Sequence, residues 1–473
     1  MVSSKVSLAL CYKLGKKLNR KYSVFSTLRM ELDGNAENEQ STSRSIDPVA
    51  YGYRRQSYRK GSTQFKKHID YHYSPLELDF DKPHPVLEPT DLLTEGTWML
   101  FDQIPRKFET VQPYYLEKIN LRVCSYNVLS QSIAGRTIFL YSHLLNSKKR
   151  QYEISWPHRS KLLAKEFSLI GADIYCLQEV EHDHYTSFFE PTLSKAGYKS
   201  IYKKRTGPLV DGCAIFYRSN LDLLFSKDIE FVFTGNQIFN QGNIAQVARF
   251  RMRDGSEFCV TNTHLLFNKR LGQVKIAQAS KLLAAVYEAT SGDCPYLMCG
   301  DFNMQPGSPL YNFISDGFLP FANLRQFEVS GQGESGGSIL RPDVFPIDMH
   351  NLESCRITKC GENREALMHK MKFASAYSHV TDDYKPEISA FQSEDACNPD
   401  FIFYSVEDKI LQEKPRGPSI LEIREGPLHL VRRLSLPSEM VLRRTIGPWP
   451  NFTTPSDHIP LVVDFALQAP SED

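Results

Sequence analysis

Seven short apolar runs in this chain each open or close on a carboxylate, an amide or an imidazole, and that recurrence constrains the fold more than any other feature. The runs are "LRVCSYNVL", "ADIYCLQEV", "DGCAIFYR", "FCVTNTHLL", "YLMCGDFN", "NPDFIFYS" and "IPLVVDFAL". Their β-branched and aromatic content predicts strands. The polar residues at their ends, Asn127, Glu179, Asp211, His264, Asp301, Asn303, Asp400, Asp457 and His458, are then placed where a sheet can gather them along one edge. Between the runs, "RSKLLAKEFSLIG" (159–171) and "GQVKIAQASKLLAAVYEATS" (272–291) have helical apolar spacing. Strands and helices mixed in this way predict a layered α/β body with helices outside.

The rest of the chain follows a different pattern. Residues 1–30 form a basic tail, and residues 31–112 are polar, Pro-punctuated and without period, which predicts a linker or disordered arm. Within it, "YGYRRQSYRKGSTQFKKH" (51–68) alternates basic residues with Tyr and Phe, a pattern that suits either an RNA-contacting arm or a solvated tail. The folded domain that carries the seven runs is expected over 113–468, interrupted by an aperiodic surface loop at 329–372. No repeat of roughly 20–50 residues and no leucine-rich array is present.

Charge limits the partners. The net charge is +1, but Lys5, Lys13, Lys16, Lys17, Arg20, Lys21 and Arg29 crowd into an acid-free N-terminus and leave the remainder negative. Any polyanion must therefore be held locally, by a metal or by short basic patches. The N-terminus fits a plain basic tail or a mitochondrial presequence, so cytoplasm, nucleus and mitochondrion all stay open as locations. No apolar run reaches the roughly 18 residues of a membrane-spanning helix. Ten cysteines without a C-x-x-C spacing predict reduced core residues rather than disulfides or a zinc site.

Taken singly, each polar strand end has a dull explanation as a cap, a turn or a solvated acid. Together, carboxylates with amides are hard oxygen ligands suited to Mg²⁺. Hydrolysis of an anionic phosphate ester needs charge neutralisation, a base for water and donors for the phosphate oxygens, and this inventory supplies all three. Within "TPSDHIPLVVDF", an extended segment places Asp457 and His458 on opposite sides. The two neighbours are then expected to join different groups rather than to form a working pair. Truncation before residue 457 is expected to abolish activity while leaving the six upstream motifs intact.

The ordered set "SYNVLS", "CLQEV", "DGCAIFY", "NTHLL", "CGDFN", "PDFIFY" and "SDHIPL" resembles the endonuclease/exonuclease/phosphatase superfamily. Within it, the set is similar to the carbon catabolite repression type of deadenylase-like nucleases, and to their angel branch, over about residues 119–467. The resemblance implies a two-sheet α/β sandwich of the deoxyribonuclease-like kind, with the active site between the sheets at one end. It implies that Glu179 binds Mg²⁺, or Mn²⁺, with Asn127 and Asp457 nearby. Asp301 would orient or deprotonate water, Asn303 would donate to a phosphate oxygen, and Asp400 would hold His458 against the scissile phosphate beside His264. Asp211 and Asn243 are expected on the substrate side. The branch implies removal of a terminal 2′,3′-cyclic phosphate from RNA 3′ ends. The wider family implies 3′ to 5′ removal of adenylates, for which Tyr377 or Phe391 would stack on the base. An inactive RNA-binding scaffold is the reading from a different class, and none of its signature losses is present.

Overall fold

Each of the seven runs is a strand, and both helical spacings are helices, in the structure of the chain, a computed structural model that describes residues 98–100 and 104–469 apart from 292–293, 334–335, 351, 353, 360–364 and 413–419. One sheet has seven strands, in the order Phe108–Thr110, Leu428–Leu434, Leu461–Leu467, Leu121–Asn127, Ile174–Glu181, Asp211–Arg218 and Tyr198–Lys204. The other has six, in the order Phe373–Ser375, Asp400–Ser405, Tyr296–Asp301, Glu257–His264, Ile244–Arg251 and Asp222–Glu230.

Alternation along the strands builds three apolar layers. Leu121, Val123, Ile174 and Ile215 of the first sheet meet Phe250, Val260, Cys299 and Ile402 of the second in the central core. Cys124, Tyr126, Tyr175 and Phe216 point the other way, onto Trp156, Leu163 and Phe167 of helix Trp156–Ile170. Val247, Cys259, Met298 and Phe403 likewise pack under helix Gly272–Thr290 through Val274, Ile276 and Leu282. The architecture is a two-sheet sandwich with helices on its outer faces.

Two sequence boundaries are corrected. Strand Phe108–Thr110 pairs with Leu428–Leu434, and the buried Arg106 donates to the carbonyls of Leu434, Ser435 and Pro460, so the folded body begins upstream of residue 113. The segment 329–372 is not a surface loop throughout. Its strands Cys355–Lys359 and Glu365–His369 form a three-stranded sheet with Phe318–Pro320, and Leu340, Phe345, Met349 and Leu367 of this segment are buried in the core under helix Gly272–Thr290. Strands of three to five residues are too short to show a period. The basic tail 1–30 and the segment 51–68 lie outside the described residues. Among the described residues, no helix is long and apolar enough to cross a membrane.

Candidate active site

Strand direction decides where the polar ends meet. Leu121–Asn127 runs parallel to Ile174–Glu181 and antiparallel to Leu461–Leu467, while Ile174–Glu181 runs antiparallel to Asp211–Arg218. One edge of the first sheet therefore carries, side by side, Asp457 and His458, then Asn127, Glu179 and Asp211. In the second sheet Asp400 faces Asp301 across an antiparallel pair and Asp301 faces His264 across a parallel one. Asn243 precedes the next strand. Two rows of polar side chains thus line the same end of the sandwich.

Local turns aim them inward. Asn127 Oδ1 accepts from Leu129 N–H at 3.1 Å and Asp301 Oδ1 accepts from Asn303 N–H at 2.9 Å, the side-chain turns that Asn and Asp form two residues on. Leu129, Asn303 and Glu179 all have positive φ, at 57°, 49° and 58°, a conformation uncommon for non-glycine residues. Glu179 sits where the pairing with Asp211–Arg218 shifts register between Leu177 and Val180, and such a bulge re-aims a side chain. Gly300 has φ 155°, and a Cβ there would lie 2.1 Å from Thr263 O. Only glycine lets the two strands close enough to set Asp301 beside His264.

The side chains converge through named contacts. Asn127 Nδ2 donates to Asp301 Oδ2 at 3.0 Å and to Glu179 Oε1 at 3.2 Å, spanning the two sheets. Glu179 Oε2 accepts from Ser130 N–H at 2.9 Å. Asp301 Oδ2 lies 3.5 Å from His264 Nε2 and 3.8 Å from His458 Nε2. His458 Nδ1 is 2.8 Å from Asp400 Oδ2, which also accepts from Ser389 Oγ at 2.6 Å. Burial alone would depress the His458 imidazole, but Asp400, Asp457 and Asp301 outweigh it and hold its pKa well above the ordinary value. Burial raises Glu179, His264 opposes it, and the carboxylates of Asp457 and Asp211 raise it further.

Several expected placements differ. Asp457 and His458 precede the last strand, which begins at Leu461, so extended alternation does not apply to them. Their side chains turn toward one another, with His458 Nε2 4.0 Å from Asp457 Oδ1. Tyr377 is a core residue whose hydroxyl is tied to the backbones of Leu434 and Val462. Phe391 is fully buried against Trp449. Neither ring can stack on a base. Asn243 donates to His264 O at 2.9 Å and accepts from Gln278, so it steadies His264 from below rather than reaching substrate.

Sequence reasoning missed the residues that hold this constellation. Tyr141 Oη and Gln392 Nε2 both donate to Asp457 Oδ2, at 3.0 and 2.9 Å. The buried Arg159 binds the carbonyls of Val128 and Leu129 after strand Leu121–Asn127 and of Pro455 before the last strand. Ser456 Oγ donates to Asn127 O at 2.7 Å. Lys275 Nζ donates to Asn303 O at 2.5 Å and to Gln332 Oε1 at 2.9 Å. Each sits outside a polar strand end, and nothing in spacing marks it.

The donor set fits a hard divalent cation. Asp457 Oδ1 and Asp400 Oδ1 are buried without a hydrogen-bond partner, and carboxylate oxygens left bare in a cluster of acids call for a cation. Asp301, Asp400 and His458 bring polar atoms within 4.8 Å of one another, but the imidazole raised by its acid neighbours offers no lone pair, which leaves ligation to the carboxylates.

The model of the Endonuclease/Exonuclease/phosphatase family matches residues 124–458. The chain belongs to this family. Protein angel homolog 2 of Bos taurus is 34% identical over 389 residues, covering 74% of this chain and 70% of that protein. Protein angel homolog 1 of Rattus norvegicus is 28% identical over 427 residues, covering 73% and 63%. These relatives set the chain in the angel branch. Its fold matches the crystal structure of ANGEL2, a 2′,3′-cyclic phosphatase, with a TM-score of 0.66 and 34% identity over 76% of this chain and 98% of that one. A second structure of ANGEL2 is in complex with adenosine-2′,3′-vanadate.

Proposed function

We propose that this chain is a phosphoesterase of RNA 3′ ends that removes a terminal 2′,3′-cyclic phosphate and leaves a diol. The observation that carries this reading is the buried Asp400–His458 pair, which joins the two sheets beside Asp301, in a chain that is 34% identical to a 2′,3′-cyclic phosphatase. Two waters are consumed, one to open the ring and one to release inorganic phosphate; in each step Asp301 Oδ2, oriented by the surrounding donors Asn127, His264 and His458, is the acceptor for a proton of the attacking water, and a proton is returned to the departing ribose oxygen. His458, held protonated by its carboxylate neighbours, presents Nε2–H to the phosphate. His264 and the second amide hydrogen of Asn303, whose first goes to Leu265 O, complete the donors for phosphate oxygens.

Glu179 and Asp457 are the residues proposed to hold Mg²⁺, with Mn²⁺ as a substitute. Asn127 orients Glu179 toward it. When bound, the ion neutralises phosphate charge. Asp211 lies beside this pair on the substrate side.

The test uses oligonucleotides of one sequence ending in a 2′,3′-cyclic phosphate or in an unmodified poly(A) tract, with and without Mg²⁺. Inorganic phosphate released from the first, with no shortening of the second, is expected. Shortening of the poly(A) end alone would establish the exonuclease reading instead. Burial of Tyr377 and Phe391 removes the adenine platform which that reading drew on.

A further inference from the structure

The basic run Lys203, Lys204, Arg205 ends the edge strand of the seven-stranded sheet, next to Asp211. Two of its three cations are occupied. Lys203 Nζ pairs with Glu230 Oε1 at 2.7 Å. Lys204 Nζ donates to the carbonyls of Arg205, Gly207 and Leu209. Arg205 is different. Its Nη1 lies 3.6 Å from Asp211 Oδ2, longer than a hydrogen bond, its Nη2 reaches Gln241 O only at 3.5 Å, and its Nε is buried with no hydrogen-bond partner. Asp211 is 1% exposed, and neither of its carboxylate oxygens is hydrogen-bonded. Asp211 and Gln241 hold this guanidinium only loosely, at ion-pair and limiting hydrogen-bond distances, so a phosphate oxygen that approaches can take over its Nη donors.

Its place in the rows says which oxyanion. Along the first sheet the polar ends run from Asp457 and His458 through Asn127, Glu179 and Asp211 to Arg205. The facing row runs from Asp400 through Asp301 and His264 to Asn243. The Asp400–Asp457 end is filled by Ser389, Tyr141 and Gln392, all bonded to those two carboxylates. At the other end the turn after Arg205 is zipped to the neighbouring loop by Arg205 N–H to Asp211 O and Thr206 N–H to Gly242 O, which fixes the guanidinium's base. Neighbouring strands lie about 4.8 Å apart, so Arg205 stands roughly 10 Å from the Glu179 strand, beyond the reach of the reacting phosphorus and within reach of the next phosphate of a strand.

We propose that Arg205, steadied by Asp211, binds the phosphodiester that joins the terminal nucleotide of the substrate to the preceding one. The RNA then leaves the site along the sheet edges past Asp211. The inference rests on the RNA 3′-end reading above and adds the direction in which the strand runs and the residue that grips it.

Steady-state kinetics on a 2′,3′-cyclic mononucleotide and on an oligonucleotide with the same terminal base and cyclic phosphate test it. The mononucleotide lacks the phosphodiester in question. For the full chain, kcat/KM is expected to be higher on the oligonucleotide, and that preference to fall about tenfold in Arg205→Gln, the loss of one charge-assisted hydrogen-bonded contact. Arg205→Lys, which keeps the charge and loses the fork, should fall between. The slope of log KM for the oligonucleotide against log salt should shrink by about 0.7 in Arg205→Gln, the share of one phosphate contact on a single strand. An equal preference for the two substrates in the unaltered chain overturns the proposal, as does an Arg205→Gln variant whose preference and salt slope are unchanged. Phosphate release from neither substrate overturns the cyclic phosphatase reading itself, a different result.

Discussion

Asn127 shows how one side chain organises the site. Its two amide hydrogens go to carboxylates from different sheets, Glu179 and Asp301, and its oxygen turns its own chain. Asn127→Ala should lower kcat/KM by on the order of 10²-fold, because two acids lose the donor that separates and orients them. Asn127→Asp should be at least as damaging, since it adds a third negative charge. Activity within a few-fold of the unaltered chain in either variant would show that Asn127 does not set these acids. Tyr141→Phe leaves Asp457 with Gln392 as its donor, and an approximately tenfold fall in activity is expected, with about 1 kcal/mol lost in urea unfolding. At this scale the sequence exposed the groups that sit at strand ends, because a polar residue closing an apolar run stands out. It could not expose Tyr141, Arg159 or Lys275, which are ordinary members of helical segments until the fold brings their tips to the site. Tyr377 and Phe391 misled for the converse reason: an aromatic ring near a polar motif looks the same in sequence whether it faces a ligand or the core.

Elements carry the geometry that residues express. The strands and both long helices were legible because their apolar periods extend over enough residues, whereas Phe108–Thr110 and the strands within 329–372 were too short. Gly300 is the point where two strands must approach closely, and its role could be read in "CGDFN" only as a turn. Gly300→Ala places a methyl against Thr263 O and should destabilise the chain by at least about 2 kcal/mol, with activity lost in the folded fraction as Asp301 moves from His264. Retention of both would mean the strands can part. Helix Gly272–Thr290 reaches the site through Lys275, whose ammonium burial brings its pKa from 10.5 to about 7, with Asp301 opposing the fall. Below pH 7 the folded chain carries the full cost of a buried charge that the unfolded chain does not, and this cost fades as pH rises toward 10.5. Relative to Lys275→Met, the unaltered chain should therefore gain stability between about pH 7 and 10.5, read from urea midpoints. A difference that does not vary with pH would show that Lys275 is not buried as a charge.

The whole molecule closes on its last strand. Leu461–Leu467 lies in the interior of the seven-stranded sheet, between Leu428–Leu434 and Leu121–Asn127. Asp464 within it is fully buried and accepts from both Arg122 and Arg432, at 2.6 Å each. Arg106 bonds the backbone just before it and Tyr377 the backbone within it, and Arg159 ties the loop before it to the loop after Leu121–Asn127. The sequence suggested that ending the chain before residue 457 would subtract two groups from an otherwise intact site. The topology requires more. Without this strand, two neighbours lose their hydrogen-bonded edges, Leu461, Val463 and Phe465 leave the central core, and two buried arginines lose their shared carboxylate, a kind of loss that for a single broken pair costs about 3–5 kcal/mol. Set against the roughly 5–15 kcal/mol that holds a domain together, these losses exceed what the remaining sandwich can absorb. A chain ending at Ser456 should therefore show no cooperative thermal transition by circular dichroism, and no protection of the Leu121–Asn127 amides from hydrogen exchange. A sharp transition with those amides protected would mean that the first six motifs form a body of their own, to which Asp457 and His458 are merely appended.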